Sequence, residues 1–216
     1  MAFGLQVETW GPFALFTRPE MKTERVTYDV MTPSAARGLI ESIYWHPGFS
    51  VKIDRIHVLN EIRFTNIRRN EVKSKILESN VERMMLGGEV PFLNTSSDIQ
   101  QRAALVLRDV HYVIDAHFEL TEKAAPGDNE GKFKDIFRRR LEKGQCYSQP
   151  YFGTREFPAK FRPWVGGPVP TFGENRDLGY MIYDMDYSDP KKIEPTFFHA
   201  VLRNGVLQVA GEKVLR

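Results

Sequence analysis

Apolar and polar residues alternate in two stretches of the chain, and a period of two is typical of β-strands with one buried face. The first stretch covers residues 3–9, starts at Phe3 and is ended by Gly11 and Pro12. The second covers residues 110–120, and its apolar face is formed by Val110, Tyr112, Ile114, Ala116, Phe118 and Leu120. We therefore predict an N-terminal strand and a long central strand.

Two other stretches place an apolar residue at every third or fourth position, which predicts helices with one buried stripe. The first helix should begin after Thr32, a residue type that caps helices, with Pro33 in its first turn, and should stop at residues 46–48, which read His-Pro-Gly. The second should end at Gly144, because glycine commonly follows the last helical turn. Its stripe consists of Phe133, Ile136, Phe137 and Leu141.

Further strands are indicated at residues 51–58, 61–67 and 147–161. The polar segment after residue 67 has no clear period, and we interpret it as a long excursion between strands. The resulting order of strand, helix, strand, strand, helix and strand is the βαββαβ pattern of ferredoxin-like, or RRM-like, domains. The sequence therefore predicts the α+β class with one ferredoxin-like domain.

A Gly- and Pro-rich linker at residues 166–173 divides the chain into two predicted units. Residues 1–165 should form the ferredoxin-like domain, and residues 174–216 a small C-terminal antiparallel β module. In this module Asn204 and Gly205 stand between two apolar stretches, which predicts a hairpin with a type I′ turn.

The bulk composition is that of an ordinary globular protein. Of 216 residues, 42% are hydrophobic and 27% are charged, and the net charge of +2 permits a nucleic acid partner without arguing for one. Cys146 is the only cysteine, so no disulfide forms within the chain and a reducing cytoplasm is the expected location. The sequence shows no signal peptide and no run near the ~20 apolar residues of a membrane span. We expect no membrane partner.

Four residues on the second face of the central strand carry side chains that bind metals: His111, Asp115, His117 and Glu119. Same-face neighbours lie about 7 Å apart along a strand, so at most two of them can share one ion. No zinc or calcium motif accompanies them, and no glycine-rich phosphate loop occurs in the chain. We therefore expect no metal and no other cofactor. A metal-dependent nuclease that uses this face is the least favoured alternative.

Basic residues are concentrated around the second helix. Residues 129–144 hold six basic and three acidic residues, a local excess of 6 − 3 = +3. From there to residue 164, basic residues alternate with aromatic ones, a mixture that suits the phosphates and unpaired bases of RNA. A solvated helix with aromatic residues in the core explains the same composition, so both interpretations stay open. The RNA-binding candidates are Trp45, Arg138, Arg139, Arg140, Lys143, Arg155 and Lys160.

Five motifs in order along the chain carry a resemblance to a known family. They read GPFALFTRP at residues 11–19, ESIYWHP at 41–47, DVHYVIDAHFEL at 109–120, NEGK at 129–132 and QPYFGTREFPA at 149–159. With these motifs the chain resembles the subtype I-C CRISPR-associated endoribonucleases, the Cas-five members of the RAMP superfamily. The resemblance covers most of residues 1–165 and is looser beyond them.

This resemblance implies an activity and a set of partners. Family members cleave precursor CRISPR RNA beside the repeat hairpin without a metal. The 2′-hydroxyl attacks the adjacent phosphate, a 2′,3′-cyclic phosphate is left, and the enzyme stays on the product as a subunit of a Cascade-type complex. The expected partners are the repeat hairpin RNA and the other subunits of a type I-C surveillance complex, and binding of duplex DNA is left open. A non-cleaving structural RNA-binding subunit is the main alternative.

The resemblance also implies catalytic positions. A tyrosine at the end of the first helix, here Tyr44, would orient the hydroxyl, and a lysine at the start of the second, here Lys132, would stabilise the phosphate. Some relatives carry a histidine at the next position, where this chain has Phe133, whose ring transfers no proton. His46 or His117 are candidates to replace that histidine. Each position also has a structural interpretation, because Tyr44 and Phe133 lie on apolar stripes.

Overall fold

The structure, a computed structural model, describes residues 4–21, 23–89, 92, 94–189 and 191–216. In this part of the chain nine strands form one sheet, and three helices accompany it. The predicted first strand is confirmed from residue 4 onward, and Phe3 lies outside the described residues. Its predicted end at Gly11 and Pro12 is wrong, because the strand continues to Ala14 and stays paired with the central strand. The elements are β1 Gly4–Ala14, β2 Arg25–Val26, α1 Pro33–Ile43, β3 Phe49–Val58, β4 Phe64–Val72, α2 Glu78–Met85, β5 Ile99–Leu120, α3 Glu130–Glu142, β6 Lys160–Pro163, β7 Arg176–Asp186, β8 Glu194–Arg203 and β9 Val206–Gln208.

Strand β5 is the centre of the sheet. It pairs in antiparallel orientation with β1, β3 and β4, and in parallel orientation with the short β2. The main path of the sheet runs β6-β1-β5-β3-β9-β8-β7. The predicted apolar face of β5 is buried from Val110 to Phe118, whereas Leu120 is exposed, and Val113 and Asp115 on the second face are buried as well. The protein is therefore a mixed α/β protein with a curled, largely antiparallel sheet.

Helices α1 and α3 pack against the sheet and against each other, α1 on β3 and α3 on β5 and β6. The predicted N-cap of α1 is confirmed, because the Thr32 hydroxyl accepts a hydrogen bond from the backbone N–H of Ala35. Asn129 caps α3 in the same way by accepting from the N–H of Lys132. Both helices turn their predicted apolar stripes into the core. Residues 44 and 132 consequently lie at the ends of two neighbouring helices.

Two further predicted boundaries are wrong. Helix α1 ends at Ile43, before the His-Pro-Gly sequence, and Tyr44 is its extended C-cap residue. The segment after residue 67 is not without structure, because β4 continues to Val72 and α2 follows at Glu78–Met85. Helix α2 buries none of its residues. It therefore has no apolar stripe toward the core, which is the signal that the sequence pattern depends on.

The predicted fourth strand at residues 147–161 is mostly a looped segment. Strand β6 covers only Lys160–Pro163. Gly153 has a φ of 79°, and a Cβ at this position would lie 2.0 Å from the carbonyl oxygen of Leu15. The loop therefore turns sharply and packs directly on the backbone that follows β1, which an extended strand could not do.

Strands β7, β8 and β9 continue the same sheet, because β9 pairs with β3. The predicted type I′ hairpin is confirmed, since Asn204 and Gly205 between β8 and β9 have φ angles of 47° and 72°. Arg37 of α1 donates hydrogen bonds of 2.9 and 2.8 Å to the two carboxylate oxygens of Asp184 on β7. This bidentate pair ties the C-terminal strands to the first helix.

Candidate functional site

Tyr44 lies where α1 ends, and only 8% of the residue is exposed. Its backbone N–H still donates to the carbonyl of Ile40, so the helix fixes its position. The guanidinium carbon of Arg140 lies 5.0 Å from the centre of the Tyr44 ring, and its Nη1 donates to the carbonyl of Ile43. Burial raises the pKa of Tyr44, against the opposing charges of Arg140 and Lys132. The phenol is therefore a neutral O–H group at neutral pH.

Lys132 lies in the first turn of α3 and forms an ion pair with the residue four positions before it. Its Nζ lies 2.8 Å from Asp128 Oδ1, while Asp128 Oδ2 accepts a hydrogen bond from the backbone N–H of Ala125. The hydrogen bond from Lys132 lowers the pKa of Asp128, and the same bond raises the pKa of Lys132. Both groups are therefore charged at neutral pH. About half of the Lys132 side chain is exposed, so its ammonium group is accessible to an anion.

The side chain of Phe133 is part of the core, since only 1% of the residue is exposed. Its ring centre lies 4.9 Å from that of Phe49, 5.2 Å from that of His46 and 6.5 Å from that of Tyr44. The ring offers no acid or base. It brings the loop after α1 and the first turn of α3 together, and so places Tyr44 and His46 beside each other.

His46 lies in the loop between α1 and β3, and its ring is partly exposed. The backbone N–H of Gly48 donates a 3.0 Å hydrogen bond to His46 Nδ1. A Cβ at position 48 would lie 3.0 Å from His46 Nδ1 and 3.2 Å from Asp128 Oδ2. The imidazole and the carboxylate that binds Lys132 therefore approach the same glycine from two sides. His46 is one of the two histidines predicted to replace the histidine of some relatives, and its ring lies against Phe133.

Trp45 lies between Tyr44 and His46 in the chain and is 58% exposed. Together with Pro47, Phe49, Leu120 and Lys123 it lines a shallow cavity of about 530 Å³. The cavity is mainly apolar, and Glu122 and Lys123 place one acidic and one basic group in its lining. An exposed indole in such a cavity can stack against a flat ring.

The basic residues of α3 differ in their exposure and in their ion pairs. Arg138 forms ion pairs with Asp135 and Glu142 on its own helix, at 3.4 and 4.0 Å. Arg139 and Lys143 are exposed, and neither has an ion pair among the residues that the structure describes. Arg138, Arg139 and Lys143 therefore carry positive charge on the exposed side of α3. Arg140 lies seven residues after Phe133, on the same side of the helix as the apolar stripe, and faces Tyr44.

Two further RNA-binding candidates lie outside α3. Arg155 is exposed in the loop before β6. Lys160 begins β6, is exposed, and pairs through its backbone with Trp10 of β1. The structure therefore places Lys160 on an edge strand of the sheet, where Trp10 and His111 line a cavity beside it.

The second face of β5 carries pairs of histidine and carboxylate side chains. His111 contacts Glu8, and Glu8 also accepts hydrogen bonds from Arg162. Both contacts lower the pKa of Glu8, that with Arg162 having the larger effect, whereas burial raises it. His117 contacts Asp54 at 3.0 Å. No group of three or more potential metal ligands occurs in the described ranges. His117 points away from Phe118, which packs against Phe137 of α3, so His117 does not face the Tyr44 cluster.

Two residues of the cluster were missed by sequence reasoning. Asp128, which binds the ammonium group of Lys132, was not predicted as a site residue. Arg140 was predicted to bind RNA, but its guanidinium lies over the ring of Tyr44. The spacing of four between Asp128 and Lys132 is a usable signal, because residues at i and i+4 are neighbours at a helix start. No signal of this kind connects Arg140 with Tyr44, since the contact joins two helices.

The family model described as CRISPR-associated protein (Cas_Cas5) matches residues 4–210 of this chain. The chain belongs to this family. Two curated relatives are named "CRISPR pre-crRNA endoribonuclease Cas5d". The protein of Mannheimia succiniciproducens is 48% identical over 217 residues, which cover 97% of this chain and 96% of that protein. The protein of Thermus thermophilus is 42% identical over 226 residues, which cover 97% and 92%.

Solved structures support the fold. A "Crystal Structure of CRISPR-associated Protein" matches with a TM-score of 0.70 and 23% identity and covers 100% of this chain and 97% of that one. A chain of a "CRISPR RNA-guided surveillance complex" matches with a TM-score of 0.51 and 13% identity, over 98% of this chain and 89% of that chain. Within the described residues, the helices of this family member are too short or too polar to span a bilayer.

Proposed function

We propose that this chain is a cytoplasmic endoribonuclease that cleaves precursor CRISPR RNA at the base of the repeat hairpin and remains bound as a subunit of a Cascade-type complex. The names of the two curated relatives, at 48% and 42% identity over nearly the whole chain, support the activity. The match to a chain of a surveillance complex supports the fold of a complex subunit. The observation that carries the proposal is the placement of Tyr44 and Lys132 at adjoining helix ends.

The architecture of the proposed enzyme is a ferredoxin-like unit with an extension. The neighbour order β6-β1-β5-β3 supports this assignment, because a βαββαβ unit places its fourth strand beside its first and its third between first and second. In this scheme β2, β4 and α2 are insertions. Residues 1–165 form the RNA-binding unit and residues 174–216 form the C-terminal module.

The reaction needs no metal in this proposal. The 2′-hydroxyl attacks the neighbouring phosphorus, the bond to the 5′-oxygen breaks, and negative charge grows on the phosphate oxygens. The neutral phenol of Tyr44 orients the attacking hydroxyl, and the ammonium of Lys132 stabilises the growing charge. Asp128 holds that ammonium in place before RNA binds. When RNA binds, the ammonium of Lys132 donates hydrogen bonds to the phosphate as well as to Asp128.

Binding of the repeat RNA is assigned to groups around this site. Arg139 and Lys143 on α3 provide cations for the hairpin phosphates. Trp45 offers its exposed indole to an unpaired base beside the cleavage position. The candidates Arg138, Arg155 and Lys160 extend the basic surface, which also suits the phosphates of duplex DNA.

A second candidate function is a structural subunit that binds the repeat without cutting it. Phe133 favours this alternative, because it puts a hydrocarbon ring where some relatives have histidine. A gel assay with excess protein, labelled repeat RNA and EDTA separates the two. We expect wild type to cut once near the hairpin base, and Tyr44→Phe and Lys132→Ala to bind with unchanged affinity but cut at least about 100-fold more slowly. Binding without cutting by the wild type identifies the structural subunit instead.

A further inference from the structure

The scissile phosphate requires hydrogen-bond donors besides the ammonium of Lys132, because negative charge develops on it during cleavage. His46 is placed to provide one. Its ring packs against Phe133, the residue directly after Lys132, with centres 5.2 Å apart. It also lies nearly parallel to the ring of Phe49, at an angle of 20°. The imidazole therefore lies at the start of α3, the helix that carries Lys132.

The hydrogen bond with Gly48 decides which form of the imidazole is present. A backbone nitrogen can only donate, so His46 Nδ1, 3.0 Å away, must accept. The ring is then neutral, and its proton is on Nε2. Within the described residues Nε2 has no hydrogen-bond partner.

We propose that His46 acts as a neutral N–H donor that binds the scissile phosphodiester through Nε2. This inference rests on the proposed function and assigns a third group to the same site. As the 2′-oxygen bonds to phosphorus and the bond to the 5′-oxygen breaks, the Nε2 hydrogen bond stabilises the charge on the phosphate. The hydroxyl proton leaves to water, and water returns a proton to the 5′-oxygen. The imidazole is unchanged at the end of the reaction.

Three substitutions separate this role from the alternatives. His46→Gln keeps an N–H near the position of Nε2 but cannot take up a proton. His46→Asn keeps an acceptor near the position of Nδ1 for the Gly48 N–H but has no group that reaches as far as Nε2. His46→Ala removes both. His199→Gln is the matched control, because His199 is an exposed histidine that contacts Asp177 in the C-terminal strands.

Cleavage is measured under single-turnover conditions with excess protein, labelled repeat RNA and EDTA, and binding and thermal unfolding are measured in parallel. We expect His46→Gln to cut within about tenfold of wild type. His46→Asn and His46→Ala should cut about 100-fold more slowly with binding unchanged, the size of the loss when one transition-state donor is removed. The His199→Gln control should behave as wild type.

Other results overturn the inference in distinguishable ways. If His46→Asn cuts like wild type, the residue only shapes its loop. If the Gln and Asn variants are equally slow and an RNA with a 5′-sulfur leaving group restores their rates, His46 transfers a proton. If every His46 variant cuts like wild type, the inference fails while the proposed function stands. If wild type itself does not cut, both fail.

Discussion

The guanidinium of Arg140 lies over the ring of Tyr44, with its central carbon 5.0 Å from the ring centre, and the same group donates to the carbonyl of Ile43. One side chain of α3 thus holds both the ring and the backbone at the end of α1. Arginine does this with a flat, forked group that lysine lacks. The position of Tyr44 therefore depends on the docking of α3.

We predict that Arg140→Lys slows cleavage about tenfold, which corresponds to ~1.4 kcal/mol of lost transition-state stabilisation. The ammonium keeps the charge but loses the stacked arrangement over Tyr44. Single-turnover cleavage and RNA affinity are the measurements. Arg139→Lys is the control, because Arg139 is exposed in the same helical turn and keeps its charge. Equal rates for the two variants would show that Arg140 contributes only charge.

Gly48→Ala should disturb the site through steric contact. The added Cβ would lie 3.0 Å from His46 Nδ1, 3.2 Å from Asp128 Oδ2 and 3.2 Å from the Cα of Ala124. We expect an unfolding free energy lower by about 1–3 kcal/mol, as for other overpacked positions, together with slower cleavage. Gly38→Ala in α1 is the control, since its Cβ meets no atom within 4 Å and alanine favours a helix by about 0.5–1 kcal/mol. Chemical denaturation measures both variants, and an unchanged Gly48→Ala protein would contradict the packing described above.

Phe133→His tests whether the histidine of some relatives can be restored. The position is buried against Phe49, so an imidazole without a hydrogen-bond partner should lower the unfolding free energy by about 1–3 kcal/mol. If His46 already provides the ring nitrogen at this site, cleavage by the folded variant should not exceed that of wild type. Rates are compared at a temperature where thermal unfolding shows both proteins to be folded. A clear gain in rate would mean that a ring nitrogen at position 133 contributes something that the hydrogen bond from His46 does not provide.

The Arg37 and Asp184 pair should contribute measurably to the docking of the C-terminal strands on α1. Its two hydrogen bonds of 2.9 and 2.8 Å are bidentate and partly shielded from solvent. A double-mutant cycle with Arg37→Ala and Asp184→Ala should give a coupling free energy of about 1 kcal/mol. The matched cycle on Arg216 and Asp186 should give a value near zero, because the Arg216 side chain is 82% exposed. Equal couplings would mean that packing alone attaches β7 to α1.

Stability at acid pH should depend on Glu8. Its hydrogen bonds from Arg162 lower the pKa in the folded protein below the ordinary value of 4.5. The stabilising contribution is therefore complete above pH 4.5 and is lost as the pH falls through the folded pKa. We predict that the unfolding free energy of wild type decreases more steeply below this pH than that of Glu8→Gln. Denaturation curves at a series of acid pH values measure the two slopes, and parallel slopes would contradict the prediction.

Local sequence patterns were sufficient for the elements that bury one face. The N-cap Thr32, the stripe of α3 and the turn at Asn204 and Gly205 were predictable because capping, periodicity and positive φ depend on neighbouring residues. Helix α2 was not predictable, since it buries no residue. The loop around Gly153 was missed because its shape depends on a contact with Leu15, far away in the chain.

The sequence by itself determined which side chains are available for catalysis at the site. The motifs around Tyr44 and Lys132 identified the two helix ends, and Thr32 marked where the first helix begins. Only the tertiary structure decided which side chains meet there. Phe133 is buried, so it joins the two helix ends and cannot face RNA, and His46 rather than His117 lies against it. The reason is physical, because contacts between separate segments follow from the packing of the shared core and leave no periodic signal in the chain.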